Sequence, residues 1–186
     1  MALKEMKDQL RYKYKIKRKY FRHSAREVAD GAISDVALAA LSAYDSFLIY
    51  YSFGSETDTH AIISALLSAG KRVFLPRVEG ENIAPVQYFG DQSKLVKNSM
   101  GIYEPQGQAY AGEIEVCVTP LLAVNPRGFR LGYGGGYYDR FFAANENILK
   151  VGLGYYLQLT DEFCEEPHDI ALDLFITEKG IIYFGR

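Results

Sequence analysis

The stretch from Ser46 to Pro76 constrains the fold more than any other part of the chain. Ser46-Phe47-Leu48-Ile49-Tyr50-Tyr51 is a short apolar and aromatic run, the pattern of a buried strand. A polar turn follows, Gly54-Ser55-Glu56-Thr57-Asp58, where Thr57 or Asp58 can cap a helix over residues 59–69. Gly70 closes that helix as the residue just past its end. Arg72-Val73-Phe74-Leu75-Pro76 then gives a second strand that stops at the proline. Strand, helix and strand joined this tightly make a βαβ unit in a parallel sheet.

The remaining elements agree with an α/β class. Residues 2–22 contain no Gly or Pro and place Leu3, Met6, Leu10, Tyr14 and Lys17 at spacings of three and four, which predicts a helix with its other lysines on the outer faces. Ser24 and Glu27 form a capping box for a second helix reaching about Ser42. Pro85-Val86-Gln87-Tyr88-Phe89 reads as an edge strand, where proline is tolerated. Val116 to Val118 with Leu121 to Val124 marks a buried strand interrupted near Pro120, and Lys150 to Tyr156 another. A helix runs to about Asn145. Leu174 to Thr177 and Ile181 to Phe184 form a hairpin turning at Glu178-Lys179-Gly180. With 186 residues, one domain over 1–186 is expected, its N-terminal basic helix packed on it.

Composition narrows the function. Hydrophobic residues are 48% and charged residues 24%, ordinary for a globular protein and far from a disordered or disulfide-dense chain. The net charge of −2 argues against a general nucleic-acid binder. It hides a split: residues 1–26 hold 10 Lys/Arg and only Glu5 and Asp8, whereas the rest hold 11 basic and 21 acidic residues. Cys117 and Cys164 read as reduced thiols, Cys117 in a core strand, and His23, His60 and His168 lie too far apart for a zinc motif. No apolar stretch reaches the 18 or so residues of a membrane span. The basic N-terminus lacks the apolar segment of a secretory signal and carries Glu5 and Asp8, so a cytoplasmic protein is expected.

The chemistry concentrates at Gly132-Tyr133-Gly134-Gly135-Gly136. Glycine is kept in such a run where backbone approaches something closely or takes positive φ. A helix follows, so amide N–H groups and the positive helix end can face one anion. Arg130 precedes the run and Arg140 follows it. A dinucleotide fingerprint from Gly132 fails because position 137 is Tyr137, and no Gly-Lys-Ser/Thr makes a Walker loop.

Asn125-Pro126-Arg127-Gly128-Phe129-Arg130-Leu131-Gly132-Tyr133-Gly134-Gly135-Gly136-Tyr137-Tyr138-Asp139-Arg140 closely resembles the signature of the 5-formyltetrahydrofolate cyclo-ligase family, the 5,10-methenyltetrahydrofolate synthetases. Lys7-Asp8-Gln9-Leu10-Arg11, Glu56-Thr57-Asp58-Thr59, Gly70 to Pro76, Gly101-Ile102-Tyr103-Glu104-Pro105, and His168-Asp169 with Asp173 extend the resemblance over most of the chain. It implies a three-layer αβα sandwich with a mainly parallel sheet, similar to sugar-phosphate isomerases and CoA transferases. It also implies an ATP- and Mg²⁺-dependent ligase of one-carbon metabolism that converts 5-formyltetrahydrofolate to 5,10-methenyltetrahydrofolate, ADP and phosphate.

Residue by residue, the resemblance implies that Lys7 and Arg11 reach ATP phosphates from one helix face. Arg130, Leu131, Gly132, Tyr133, Gly134, Gly135, Gly136, Tyr137 and Tyr138 would form the nucleotide loop, with Arg130 and Tyr138 in the catalytic roles. Tyr133 to Tyr137 would also border the folate, Glu56 would take the pterin's amino-pyrimidine edge, and Tyr51 would touch the folate less specifically. Asp139 and Asp169 would be Mg²⁺ ligands. Some relatives carry Lys where this chain has Gly135, so a phosphate contact there falls to backbone alone. The partners implied are ATP and 5-formyltetrahydrofolate, with no nucleic acid or membrane, and a monomer is expected. Two other readings compete: a related αβα enzyme acting on a sugar phosphate or CoA ester, and an RNA-binding protein using the basic helix. The basic run Lys13 to Arg22 has no role beyond a solvated face docked on an acidic body.

Overall fold

The computed structural model describes residues 3–21 and 23–185. Helices α1 (Leu3–Lys19) and α2 (His23–Ala40) lead into β1 (Ser46–Ile49), α3 (His60–Ser68) and β2 (Arg72–Glu79). Then come β3 (Asn82–Tyr88), β4 (Leu95–Lys97), β5 (Tyr103–Pro105), β6 (Val116–Thr119), β7 (Ala123–Val124) and β8 (Arg130–Leu131). The chain finishes with α4 (Tyr137–Ala144), β9 (Leu149–Leu153), β10 (Leu174–Thr177) and β11 (Gly180–Tyr183).

Seven strands form one sheet in the order β11-β10-β9-β6-β1-β2-β3. The five central strands are mutually parallel, and β3 and β11 pair antiparallel at the two edges. The βαβ unit read from residues 46–76 is present as β1, α3 and β2.

Side chains alternate between the faces, as a strand period of two requires. Phe47, Ile49, Val73, Leu75, Val116, Val118, Val151 and Leu153 pack with Ile33 and Ala37 of α2 and Ile62 and Leu66 of α3. Leu48, Phe74, Cys117 and Phe175 point the other way, onto Phe141 and Phe142 of α4. The sheet therefore lies between two helical layers. A third cluster joins Leu10 and Tyr14 of α1 to Leu122, Ala123, Leu131 and Phe163. Burying each such side chain stabilises by about 1.5–3 kcal/mol, which suffices to hold a helix whose other faces are lysines.

Several boundaries differ from those read in the sequence. Helix α1 stops at Lys19 rather than residue 22: Tyr20 and Phe21 turn the chain, and the Phe21 ring lies 4.7 Å from Tyr155. Its inward stripe continues through Arg18, not Lys17, which is exposed. Ser24 lies inside α2, so it is not that helix's cap. Thr59 is the N-cap of α3; its hydroxyl is taken by the Tyr50 carbonyl at 2.7 Å, while the Asp58 carboxylate still accepts from the His60 amide at 3.2 Å. Strand β2 continues through Pro76 to Glu79 because β3 pairs with it there, Pro76 opposite Pro85. Two facing prolines fit a non-hydrogen-bonded pair, whose backbone groups point outward. The Pro85 carbonyl does so, accepting the Tyr110 amide at 2.8 Å. The segment 121–124 leaves the main sheet after Pro120, and β7 pairs with β8 instead. The last central strand ends at Leu153, short of Tyr156. Cys117 is buried and Cys164 exposed, both free thiols as expected.

Candidate active site

The strand order reverses at β1: β2 lies on one side of it and β6 on the other. In an open parallel sheet the crevice beyond the carboxyl ends of two such strands is where ligands bind. Here β1 delivers Tyr51 and the 52–59 loop to that crevice, and β6 delivers Leu121.

The loop after β1 is braced on itself. The Tyr50 hydroxyl donates to the Thr57 carbonyl at 3.0 Å, and Ser52 and Thr59 exchange two hydrogen bonds at 3.0 and 3.1 Å. Glu56 is buried in this loop, one carboxylate oxygen accepting the Phe53 amide at 3.1 Å and the other the Tyr133 hydroxyl at 2.6 Å. Burial pushes its pKa up, against the opposing pull of the Tyr133 hydrogen bond and the Arg18 charge. Tyr133 exposes much of its ring, but its hydroxyl is enclosed between Arg18 at 2.7 Å and Glu56, and burial beside that carboxylate raises its pKa well above the ordinary phenol value. The Tyr51 ring stands at the same strand end, edge-on to His60, Tyr88 and Tyr103 at 4.3, 6.2 and 6.0 Å.

The glycine segment opens directly into α4. Gly136 is the N-cap with φ 66° and ψ 9°, a left-handed conformation natural to glycine, and it offers no side chain to the first helical amides. No cap side chain therefore competes with an anion for those amides. Gly134 also has positive φ, and a Cβ there would meet the Arg11 guanidinium at 3.3 Å. Arg11 donates to the Gly132 carbonyl at 3.1 Å and pairs with Asp8 at 2.5 Å. Arg140 straps the segment to the β2–β3 turn, donating to the carbonyls of Gly135 at 2.8 Å and Glu81 at 2.7 Å. Behind the segment, Arg130 is nearly fully buried against Asp139 at 3.1 Å, with its guanidinium 5.7 Å from the Tyr138 ring centre and 5.1 Å from that of Phe142. Tyr138 is half-buried, and desolvation of its phenol raises its pKa.

Alternating charges continue away from Arg130. Asp139 accepts the Ile170 amide at 3.0 Å, and the preceding residue, Asp169, holds the Lys7 ammonium at 2.9 Å. Lys7 also meets Glu166 at 2.7 Å. Burial alone lowers the Lys7 pKa, but the two carboxylates outweigh it and the net shift is upward. Asp169 moves the other way: burial raises it, and Lys7 with the Glu166 amide more than compensates.

Potential ligand atoms of Glu166, His168 and Asp169 lie within 4.8 Å of one another. Carboxylate oxygens are the donors a hard divalent cation takes, and the Lys7 ammonium already marks a place for positive charge among them. Of the three, the two carboxylates Glu166 and Asp169 offer the oxygen donors that fit Mg²⁺, and here the Lys7 ammonium holds both of them. Asp139 stands outside that trio, on Arg130.

The structure thus joins Glu56 and Tyr133 at the β1 end of the crevice, while Tyr51, at the same strand end, packs on His60, Tyr88 and Tyr103 instead. It gathers Arg130, the glycine segment and Tyr138 at the start of α4, and Lys7, Asp139 and Asp169 beside it. Two members escaped the sequence reading. Glu166 carried a faint signal, the acidic run Glu165-Glu166 before His168-Asp169. Arg18 carried none, being one cation in a run of six.

The family model of 5-formyltetrahydrofolate cyclo-ligases matches residues 3–178. The chain belongs to the 5-formyltetrahydrofolate cyclo-ligase family. The chain is 34% identical over 141 residues to the 5-formyltetrahydrofolate cyclo-ligase of Escherichia coli (strain K12), covering 72% of this chain and 78% of the relative. It is also 34% identical over 145 residues to that of Mycolicibacterium smegmatis, covering 72% and 74%. The NMR structure of Aquifex aeolicus 5,10-methenyltetrahydrofolate synthetase superposes with a TM-score of 0.80 at 28% identity, over 97% of this chain and 95% of that one. The Mycoplasma pneumoniae synthetase shares the fold with a TM-score of 0.75 at 23% identity, over 92% and 98%. No helix among the described residues is long and apolar enough to cross a membrane.

Proposed function

We propose that the protein catalyses the ATP- and Mg²⁺-dependent cyclisation of 5-formyltetrahydrofolate to 5,10-methenyltetrahydrofolate, releasing ADP and phosphate. The observation that carries this reading is the 2.6 Å bond from Tyr133 to Glu56. It joins the anion-binding glycine segment to a buried carboxylate in one crevice, so a nucleotide on the first and a pterin on the second would meet.

A formamide oxygen is a poor leaving group. Transfer of the γ-phosphoryl group to it makes phosphate, which leaves readily once N10 attacks the formyl carbon and closes the ring. The protein's task is to hold the formyl oxygen in line with the phosphoryl group and to stabilise spread negative charge. The amides of Gly132 to Tyr138 and the Arg130 guanidinium supply donors already fixed in place. Lys7 and Arg11 add cations from α1. Glu56, ionised, accepts the two N–H donors of the amino-pyrimidine edge on its remaining lone pairs, with Tyr133 and the Phe53 amide kept on the others. Tyr51 offers its ring face to the folate, and Tyr138 holds the Arg130 plane. Asp169, with Glu166 beside it, would hold Mg²⁺, which would neutralise phosphate charge when bound, and Asp139 would join them as a ligand only by leaving its pair with Arg130. The fold would be of the αβα type of sugar-phosphate isomerases and CoA transferases, and the working unit a single chain.

The test mixes purified protein, MgATP and 5-formyltetrahydrofolate and follows the absorbance of the methenyl product, with ADP measured in parallel. Product and ADP in equal amounts are expected. Arg130→Ala and Asp139→Ala should each remove activity by at least about 100-fold, the scale of one lost oxyanion donor. Folded wild-type protein that makes no product refutes the reading.

A further inference from the structure

We propose that Arg18 is a positioning residue for folate binding, holding Tyr133 and Glu56 in register so that the Glu56 carboxylate can receive the pterin. This rests on the role given to Glu56 above.

Arg18 belongs by sequence to the lysine-rich face of α1, yet it is only 4% exposed. Its guanidinium donates to Ser55 Oγ at 3.2 Å, to the Leu121 carbonyl at 3.1 Å and to the Tyr133 hydroxyl at 2.7 Å. These partners come from the loop after β1, the segment after β6 and the glycine segment, which are the three walls of the crevice. All three are neutral. Burying a guanidinium among neutral partners is costly unless its charge acts on something nearby. The nearest carboxylate along this network is Glu56, one hydroxyl further on, through the 2.6 Å bond from Tyr133.

The groups that face Glu56 define what Arg18 does. The Tyr133 hydroxyl and the Phe53 amide donate to it, and the Tyr50 and Tyr138 phenols lie within reach of its charge. Arg26 bonds the Glu56 backbone carbonyl at 2.7 Å and has its charge beside Asp30 at 3.8 Å. Among the described residues, Arg18 is therefore the cation that opposes the effect of burial on the carboxylate and favours its charged form. An ionised Glu56 accepts two hydrogen bonds from the pterin edge, whereas a protonated one accepts fewer and presents a donor to donors. The planar fork also explains why arginine stands here: three separated acceptors suit its geometry, and a lysine ammonium cannot span them equally.

The experiment measures equilibrium binding of 5-formyltetrahydrofolate, without nucleotide, from about pH 5 to 9. It compares wild type with Arg18→Met and Arg18→Lys, with folding checked by circular dichroism. For folded Arg18→Met, affinity at neutral pH should fall about tenfold or more, and the acidic limb of binding should move up by about one pH unit. Arg18→Lys keeps the charge but loses the fork, so its limb should stay in place while affinity falls about threefold. If Arg18→Met does not fold, the lysine variant decides the matter, and wild-type affinity in it overturns the proposal. Wild-type affinity and limb in Arg18→Met also overturn it, while leaving the cyclo-ligase reading intact. Failure of the wild type to bind the folate at all refutes both.

Discussion

Glu56 is pulled in two directions. Burial favours its neutral form, and Arg18 with the Tyr133 hydrogen bond favours the charged form that a pterin needs. Burial wins, so the folded protein holds that proton more tightly than the unfolded chain does. The stabilisation from this proton is fully present below the unfolded value near 4.5 and is lost as pH rises through the higher folded value. Glu56→Gln removes that loss. The stability of Glu56→Gln minus that of wild type should therefore grow as pH rises from about 4 to 7, read from urea midpoints at each pH. A flat difference would mean that Glu56 does not titrate upward. The same variant should bind 5-formyltetrahydrofolate at least about tenfold more weakly, because an amide offers one acceptor and a donor where the carboxylate offers two acceptors. A gain in stability coupled to a loss of binding is the usual signature of a site residue.

At the scale of elements, α1 joins the site to the body. Its inward line runs Lys7, Leu10, Tyr14, Arg18, so two cations extend an apolar stripe. The apolar members were legible from spacing. The cations were not, because burying a charge depends on partners elsewhere: those of Lys7 lie 159 and 162 residues away. The excess positive charge of residues 1–26 finds its match in the same region, Lys13 pairing with Glu162 and Lys7 with Glu166 and Asp169. Lys7→Met would leave those last two carboxylates facing each other half-buried. The expected cost is about 1–3 kcal/mol, below the value for a fully buried pair because Glu166 is one-third exposed. Mg²⁺ can replace the missing ammonium, so millimolar Mg²⁺ should raise the melting temperature of Lys7→Met more than that of wild type. No rise with Mg²⁺ in Lys7→Met would show that this carboxylate group does not hold the ion.

For the whole molecule, the chain's local patterns and its long-range topology carry different information. The buried strands, α3 and the glycine segment were legible because each is set by a few adjacent residues: apolar runs, a C-terminal Gly70, positive-φ glycines. The extension of β2 past Pro76 and the departure of residues 121–124 from the sheet were not, since both depend on which strand arrives alongside. The crevice itself is a product of topology, where segments after β1 and β6 meet the one before α4. This arrangement makes a prediction about ligands. Phosphoryl transfer to the formyl oxygen requires both substrates to be bound at once, each at its own end of the crevice. MgADP and 5-formyltetrahydrofolate cannot react, so each can be added at about 100 times its Kd and should stabilise by about 2.7 kcal/mol. For a chain of this size that is a rise in Tm of roughly 5–10 °C for each. Separate and compatible sites make the two rises add. A combined rise no larger than the greater single one would mean that nucleotide and folate compete for one pocket, and in-line transfer between them would then be impossible.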